Sequence, residues 1–524
     1  MEFKRLRWLR WAKAGRYPFS TTSTSRSLFN LQYMEFLKGT YPGVSYHGAP
    51  DYRCQFCGAV FWYPERCKIE SSVRQRRVLY SLCCRGGKVW VPPFASPPPF
   101  LADLLRFDGD SRRKPFIEKI RQYNSLFAFT SMGADIDKHV NDSGGPPVFK
   151  ISGQVHHRIG SLLPAKGASP KFVELYIHET QNEVTIGIKA VMPEADPTEV
   201  DIDVDIVGGL QSMLDVCSPL VKKFRDARDR LKDEGDTRIA IRIVGAEKGD
   251  HVQFNLPAVS ELAALIVGDF SAENYRRDII VDSKLKGLHH VPSLHLAFMS
   301  LQYPLLFPHG DRGFQLGIPH RDIQPGCTEG ELQLVCKSTT VSACHYRQNQ
   351  YNPFLCCGKL SAQSQVDSFA CVEEGRLTYI AGHQDDFRCE HFRGVADAVG
   401  KGNLDGSSIG KKRIVPASFI GGDRYQQPNF QDAVAICRVY GSPHLFPTFT
   451  CCPKWPEIKE ALLLEPGQRY TDRSDLVVRV FKMTFARYTE IKPVKAYKLS
   501  AAPKLLLCVC VQGILPERKC EEML

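Results

Sequence analysis

The sequence predicts an α+β fold, with a small zinc-type cysteine module in front of mixed α+β segments and disordered termini. Three observations carry that expectation. Ile239, Ile241 and Ile243 alternate with Ala240 and Arg242, the period of two that a strand with one buried face requires. Ser218-Pro219 is a helix start, because Ser accepts from a free N–H and Pro has none to satisfy; Leu220, Phe224, Ala227 and Leu231 then form one apolar stripe. Cys54-Gln55-Phe56-Cys57, with Cys67 and then Cys83-Cys84 downstream, has the look of a metal knuckle and its partner pair.

The elements fall into regions along the chain. Residues 1–50 are a basic, Ser/Thr-rich leader holding eight Lys/Arg against Glu2 and Glu35, the composition of a solvated tail. Arg16–Arg26 lacks acids, which leaves an organellar transit peptide as the minor alternative. Residues 51–95 form the cysteine module, closed by the prolines Pro92, Pro93 and Pro97–Pro99. Residues 100–320 and 335–485 read as α+β segments, and 486–524 as a divergent tail. Within the first segment Asp201–Asp205 alternates Asp with Ile and Val, which predicts a strand with a wet acidic face.

Composition bounds the function classes. A 524-residue chain with 43% hydrophobic and 24% charged residues is globular in character. Its net charge of +11 favours polyanions, so DNA is the expected partner. Nineteen cysteines, an odd number without a secretory h-region, point to reduced thiols and metal ligands in a reducing compartment. No run approaches the ~18 apolar residues of a membrane span, so no membrane partner is expected.

Candidate chemistry is concentrated in the cysteines. Cys54, Cys57, Cys83 and Cys84 are the candidate ligands of a structural zinc, with Phe56, Phe61, Trp62 and Tyr63 supplying a small core. Adjacent cysteines seldom both reach one ion, so Cys67 or His47 stands as an alternative fourth ligand. No nucleotide site is found: Gly406–Lys412 has its first glycine one residue too close for a P-loop, and Lys412 where a hydroxyl must meet Mg²⁺. No G-x-S-x-G elbow exists either. His156-His157 and His289-His290 are adjacent, so on strands their side chains diverge; polar surface or satisfied core is the default. Lys454 beside Trp455 offers a charge and a stacking face to a nucleic-acid strand, although a core role for the Trp is the stronger expectation.

Longer words, taken in order, resemble one family. They are Cys54–Trp62 (CQFCGAVFW), Cys83–Val89 (CCRGGKV), Tyr123–Ala134 (YNSLFAFTSMGA), Phe149–Gly160 (FKISGQVHHRIG) and Leu301–Pro308 (LQYPLLFP). Gly375–Leu377, Ile414–Gly421, Asp432-Ala433 and Phe449–Ile458 (FTCCPKWPEI) continue the series. Between about residue 50 and residue 485 the chain resembles the N-terminal half of plant Helitron transposases, including their helicase-like domain.

That resemblance implies a rolling-circle transposition protein, whose family joins a Rep endonuclease to a helicase. In the family an H-x-H pair holds a metal that polarises a phosphate, and tyrosines attack it. Here none of the 15 histidines stands two from another and none lies beyond His444, and Cys452 occupies a position where the family usually has Asn. No catalytic residue is therefore carried over. The expectation is a nuclear, DNA-binding remnant without its own active site, with a full-length relative as a candidate partner. The alternatives are a truncated gene model or isoform of an active endonuclease/helicase, or a decayed product.

Overall fold

The alternating isoleucines do form a strand, and its surroundings bury more of it than the pattern promised. The computed structural model describes residues 46–67, 78–106, 112–136, 151–164, 170, 172–177, 202–234, 239–244, 263–267, 279–282, 289–293, 295–311, 313, 341–384, 415–419, 423–440, 448–449, 451–491 and 508–509. The basic leader up to residue 45, the Gly406–Lys412 stretch and nearly all of the divergent tail lie outside them. Strand β5, in the order used below, is Ile239–Ile243. It is the centre of an antiparallel sheet flanked by β6 (Ala263–Val267) and β7 (Ile279–Asp282). Ala240, expected on the wet face, is as inaccessible as the three isoleucines.

A helical hairpin stands against that sheet. Helix α4 is Val204–Cys217 and α5 is Pro219–Glu234. Ser218 caps α5 as expected, its Oγ accepting from Val221 N–H at 3.4 Å, and Leu220, Phe224 and Ala227 are buried. The acidic Asp201–Asp205 stretch is a correction: its described residues, 202–205, form no strand but lead into α4. Asp203 Oδ1 accepts from the N–H groups of Asp205 and Ile206, so one of the alternating acids is a helix cap. A D-x-D alternation fits a strand and a helix start equally well until the following turn is seen.

The earlier segment is arranged around α2 (Arg113–Phe127), which follows the short α1 (Pro99–Leu105). Phe116, Ile117, Ile120, Tyr123, Leu126 and Phe127 make its buried stripe at helical spacing. Asn124 is buried among them because it has work at both ends. Its Nδ2 donates to Gln302 O at 2.8 Å and its Oδ1 accepts from Leu305 N–H at 3.3 Å. Thr130 Oγ1 donates to Gln302 Oε1 at 2.7 Å and Phe129 N–H to Leu301 O at 2.9 Å. The words Tyr123–Ala134 and Leu301–Pro308 thus meet in space.

A second antiparallel sheet has β4 (Ile151–Ile159) at its centre, between β3 (Ser131–Ile136) and β8 (His289–Val291). Against it lies α8 (Gly358–Gly382), which follows the one-turn α7 (Pro353–Cys356). Gly358 joins the two at φ 51°, a left-handed conformation that favours glycine. The buried side of α8 carries Ser361, Ser364, Gln365, Asp367 and Ser368. Asp367 Oδ2 meets His157 Nε2 from β4 at 2.8 Å and accepts from Tyr303 OH at 2.6 Å. The His157 ring stacks on Phe298 with centroids 3.9 Å apart, so the histidine is a core residue held through Nε2, while its buried Nδ1 has no hydrogen-bond partner among the described residues. His289 and His290 are exposed on β8.

The chain then runs through α9 (Asp423–Tyr440), α10 (Pro456–Leu462) and α11 (Ser474–Ile491). The last two enclose a cluster of Trp455, Ile458, Val477, Val480 and Phe481 that also takes in Trp62 from the cysteine module. Trp455 is therefore core and Lys454 beside it exposed. No single helix among the described residues is long and apolar enough to cross a membrane.

Arg479 of α11 fastens the module. Its guanidinium donates to Glu65 Oε1 at 2.9 Å and Oε2 at 2.8 Å, and to Val60 O at 3.1 Å. It also lies 4.9 Å from the Trp62 ring. Both charged side chains are nearly sealed, at 6% and 7% exposure. Removing one partner of such a pair leaves a buried charge without compensation. Arg479→Ala is expected to cost about 3–5 kcal/mol, read as a lowered urea midpoint; an unchanged midpoint would show the pair to be dispensable. Asp367→Ala strands His157 and Tyr303 together, with an expected loss of about 1–3 kcal/mol by the same measurement.

Candidate metal centre

Two tight turns build the centre. In the first, between the short strands β1 (Tyr52–Arg53) and β2 (Val60–Phe61), Cys54 O accepts from Gly58 N–H and Cys54 N–H donates to Ala59 O, each at 2.9 Å. Gly58 takes φ 70°, which lets the chain reverse immediately after Cys57. In the second, Arg85, Gly86 and Gly87 are left-handed in succession, at φ 47°, 71° and 93°. Cys84 O accepts from the N–H groups of Gly87 and Val89, each at 3.0 Å. A Cβ at Gly87 would sit 3.1 Å from the Phe56 ring, so the second turn nests under the first.

The four sulfurs of Cys54, Cys57, Cys83 and Cys84 lie within 4.8 Å of one another. Cys54 Sγ is 3.6 Å from Cys84 Sγ, and Cys83 Sγ 3.7 Å from Cys84 Sγ. Four thiolates about 2.3 Å from one zinc stand about 3.8 Å apart on the edges of a tetrahedron. The sulfurs are therefore already near the spacing that a single ion imposes. The adjacency of Cys83 and Cys84, the sequence argument against a shared ion, is accommodated by the reversal that starts directly after Cys84.

The alternative fourth ligands are engaged elsewhere. Cys67 Sγ donates to Ser81 Oγ at 2.9 Å. His47 N–H donates to Glu457 Oε1 at 2.8 Å, and its Nε2 is 3.4 Å from Thr484 Oγ1. Neither belongs to the four-sulfur group.

Hydrogen bonding among the four sulfurs splits their ionisation. Hydrogen bonds from Cys54, then Cys83 and Cys84, hold Cys57 well below the ordinary thiol range. The same sharing with Cys54 and Cys57 pushes Cys83 and Cys84 up. Cys54 is lowered too, so the cluster divides into two sulfurs whose ionisation is eased and two whose protons are held, and a metal ion would take the place of those protons. Gly87 N–H donates to Cys84 Sγ at 3.3 Å, so a backbone dipole also faces the sulfur cluster.

The core of the module is small: Cys54, Ala59, Phe61, Tyr80, Cys83 and Cys84, with Phe61 and Tyr80 stacked at 4.4 Å. Phe56, expected in that core, is 51% exposed. His345 adds a cap from far along the chain, 4.9 Å from Phe61. Burial and then Arg479 hold its pKa down to about 4, so this imidazole is neutral, and its Nδ1 lies 2.7 Å from Val341 O. Residues that sequence reasoning missed are the arginines Arg347 and Arg479, both within reach of the module. No local pattern marks either one.

Residues 340–497 match the family model described as the Helitron helicase-like domain at N-terminus, so the chain carries a Helitron helicase-like domain there. That stretch contains His345, Arg347, Glu457 and Arg479, all of which touch the module or the segment leading into it. No curated protein matches the chain.

The purified chain is expected to hold one Zn²⁺, measured by elemental analysis after desalting. Cys54→Ser, Cys57→Ser, Cys83→Ser and Cys84→Ser should each empty the site, while Cys67→Ser should leave it filled. Equal loss from Cys67→Ser would refute the ligand set.

Proposed function

We propose that this Helitron-derived chain, with its helicase-like domain at residues 340–497, is a DNA-binding protein of rolling-circle transposition without nuclease chemistry of its own. Zinc at the four cysteines would hold the module's two turns in register, a structural use of the metal. A genomic DNA partner implies a nuclear protein.

The observation that carries the DNA reading is the composition of the module's outer tip. Phe56, 51% exposed, lies over the turn that presents Arg85 and Lys88, both exposed. Trp90, 48% exposed, follows on the same segment. Cations answer phosphates and exposed rings answer unstacked bases, which is the pairing that single-stranded nucleic acid requires. The chain's surplus of +11 acts in the same direction at long range.

Fluorescence anisotropy with labelled single- and double-stranded oligonucleotides tests the reading. The expected result is tighter binding of the single strand, weakening steeply with salt. Phe56→Ala is expected to cost about 1–3 kcal/mol on single strands by loss of stacking. Arg85→Ala with Lys88→Ala should flatten the salt slope by about 1.4, two phosphate contacts at ~0.7 each. Binding no tighter than to an acidic control protein would overturn the proposal. A metal-dependent covalent adduct on the labelled strand would overturn its second half, since it would reveal a nuclease.

A further inference from the structure

The sulfurs come from residues 54–84, yet one of them is held from the helicase-like domain. Arg347 donates from Nε to Cys57 O at 3.1 Å and from Nη2 to Cys57 Sγ at 3.7 Å. The rest of the guanidinium is fixed on its own loop: Nη1 donates to Ser342 O at 2.9 Å and His345 O at 3.3 Å, and Nη2 to Ser342 Oγ at 3.3 Å. One residue earlier, Tyr346 O accepts from Val60 N–H at 3.0 Å. A planar fork with five N–H groups is the side chain suited to such a junction, because it spans two chain segments without strain.

We infer that Arg347 is a positioning residue of the metal centre, which couples metal loading to the seating of the helicase-like domain on the cysteine module. This rests on the zinc reading above. Zinc with four thiolates carries two net negative charges, and an N–H donor bearing a positive charge offsets part of them at Cys57. Coupling runs both ways by linkage. A loaded centre strengthens the grip of Cys57 on Arg347, and a seated 342–347 loop preorganises Cys57 for the ion.

The test uses the full chain and Co²⁺, whose thiolate charge-transfer absorption reports tetrahedral sulfur ligation. Arg347→Ala is expected to weaken Co²⁺ binding by about 10–100-fold, the range for loss of an outer partner. It should also narrow the difference in urea midpoint between loaded and metal-free protein. Arg347→Lys keeps the charge but not the fork, is the milder variant if the alanine chain does not fold, and should fall between the two. A wild-type chain with no thiolate absorption would overturn the metal reading and this inference with it. A wild type that binds Co²⁺, with variants that bind within twofold of it, would overturn the role of Arg347 alone. So would a midpoint lowered equally with and without Co²⁺, the signature of a residue that merely fills its loop.

Discussion

A module whose own core is one cluster of six buried side chains cannot hold its own shape, and the organisation of this protein follows from how that deficit is met. Small cores bury too little apolar surface to offset chain entropy, and natural solutions add a metal, a cross-link or a neighbour. Here four free thiols converge at a spacing that fits a metal ion, and the neighbour is supplied by residues hundreds of positions downstream. Arg479 takes the module by the Val60 carbonyl and the Glu65 carboxylate, while Trp62 inserts into the cluster beneath α11. Glu65 in turn accepts from Trp62 N–H at 3.0 Å, so the carboxylate that anchors Arg479 also fixes the backbone leading to the inserted ring.

An ion pair so deeply buried is poor evidence of net stability, because desolvation of both groups opposes their attraction. Its value lies in specificity. A hydrophobic contact between module and helix would tolerate sliding; a guanidinium satisfied by two carboxylate oxygens and one carbonyl does not. The four sulfurs gain from that precision, since their close convergence depends on how the two turns are held. Orientation of the module and geometry of the centre are thus one problem with one solution.

What the sequence disclosed follows the range of the interactions involved. The C-x-x-C knuckle, the Ser218 cap and the β5 alternation depend on neighbours within a turn or two, and each is visible in a window of a dozen residues. Asp201–Asp205 failed within such a window because a cap and a wet strand share the same letters. The adjacency of Cys83 and Cys84 argued against a shared ion only until the three successive left-handed residues after them were seen. His157 was legible only as a default, since its partner Asp367 is 210 residues away. Arg479 and Glu65 are 414 apart, and nothing near either residue announces the other.

The polar side of α8 extends the same logic to the helicase-like domain. A helix with Ser361, Ser364, Gln365, Asp367 and Ser368 buried together is a poor core helix by itself. Its serines turn inward, Ser364 and Ser368 each returning a hydrogen bond to the carbonyl of an earlier turn at 2.8 Å. Asp367 cannot be satisfied that way. It needs the imidazole of β4 and the phenol of Tyr303, both of which lie before the matched segment begins. Burial and the adjacent Asp367 charge keep that phenol protonated, so it serves as a donor and the carboxylate as acceptor. The carboxylate requires donors that residues 340–497 do not contribute, just as Cys57 in the sulfur cluster takes its Arg347 donor from a loop 290 residues away. Where a buried polar group cannot be satisfied within its own helix, as with Asp367 and Arg479, its partners come from a distant stretch of chain, and the burial is tolerable only with both stretches in place.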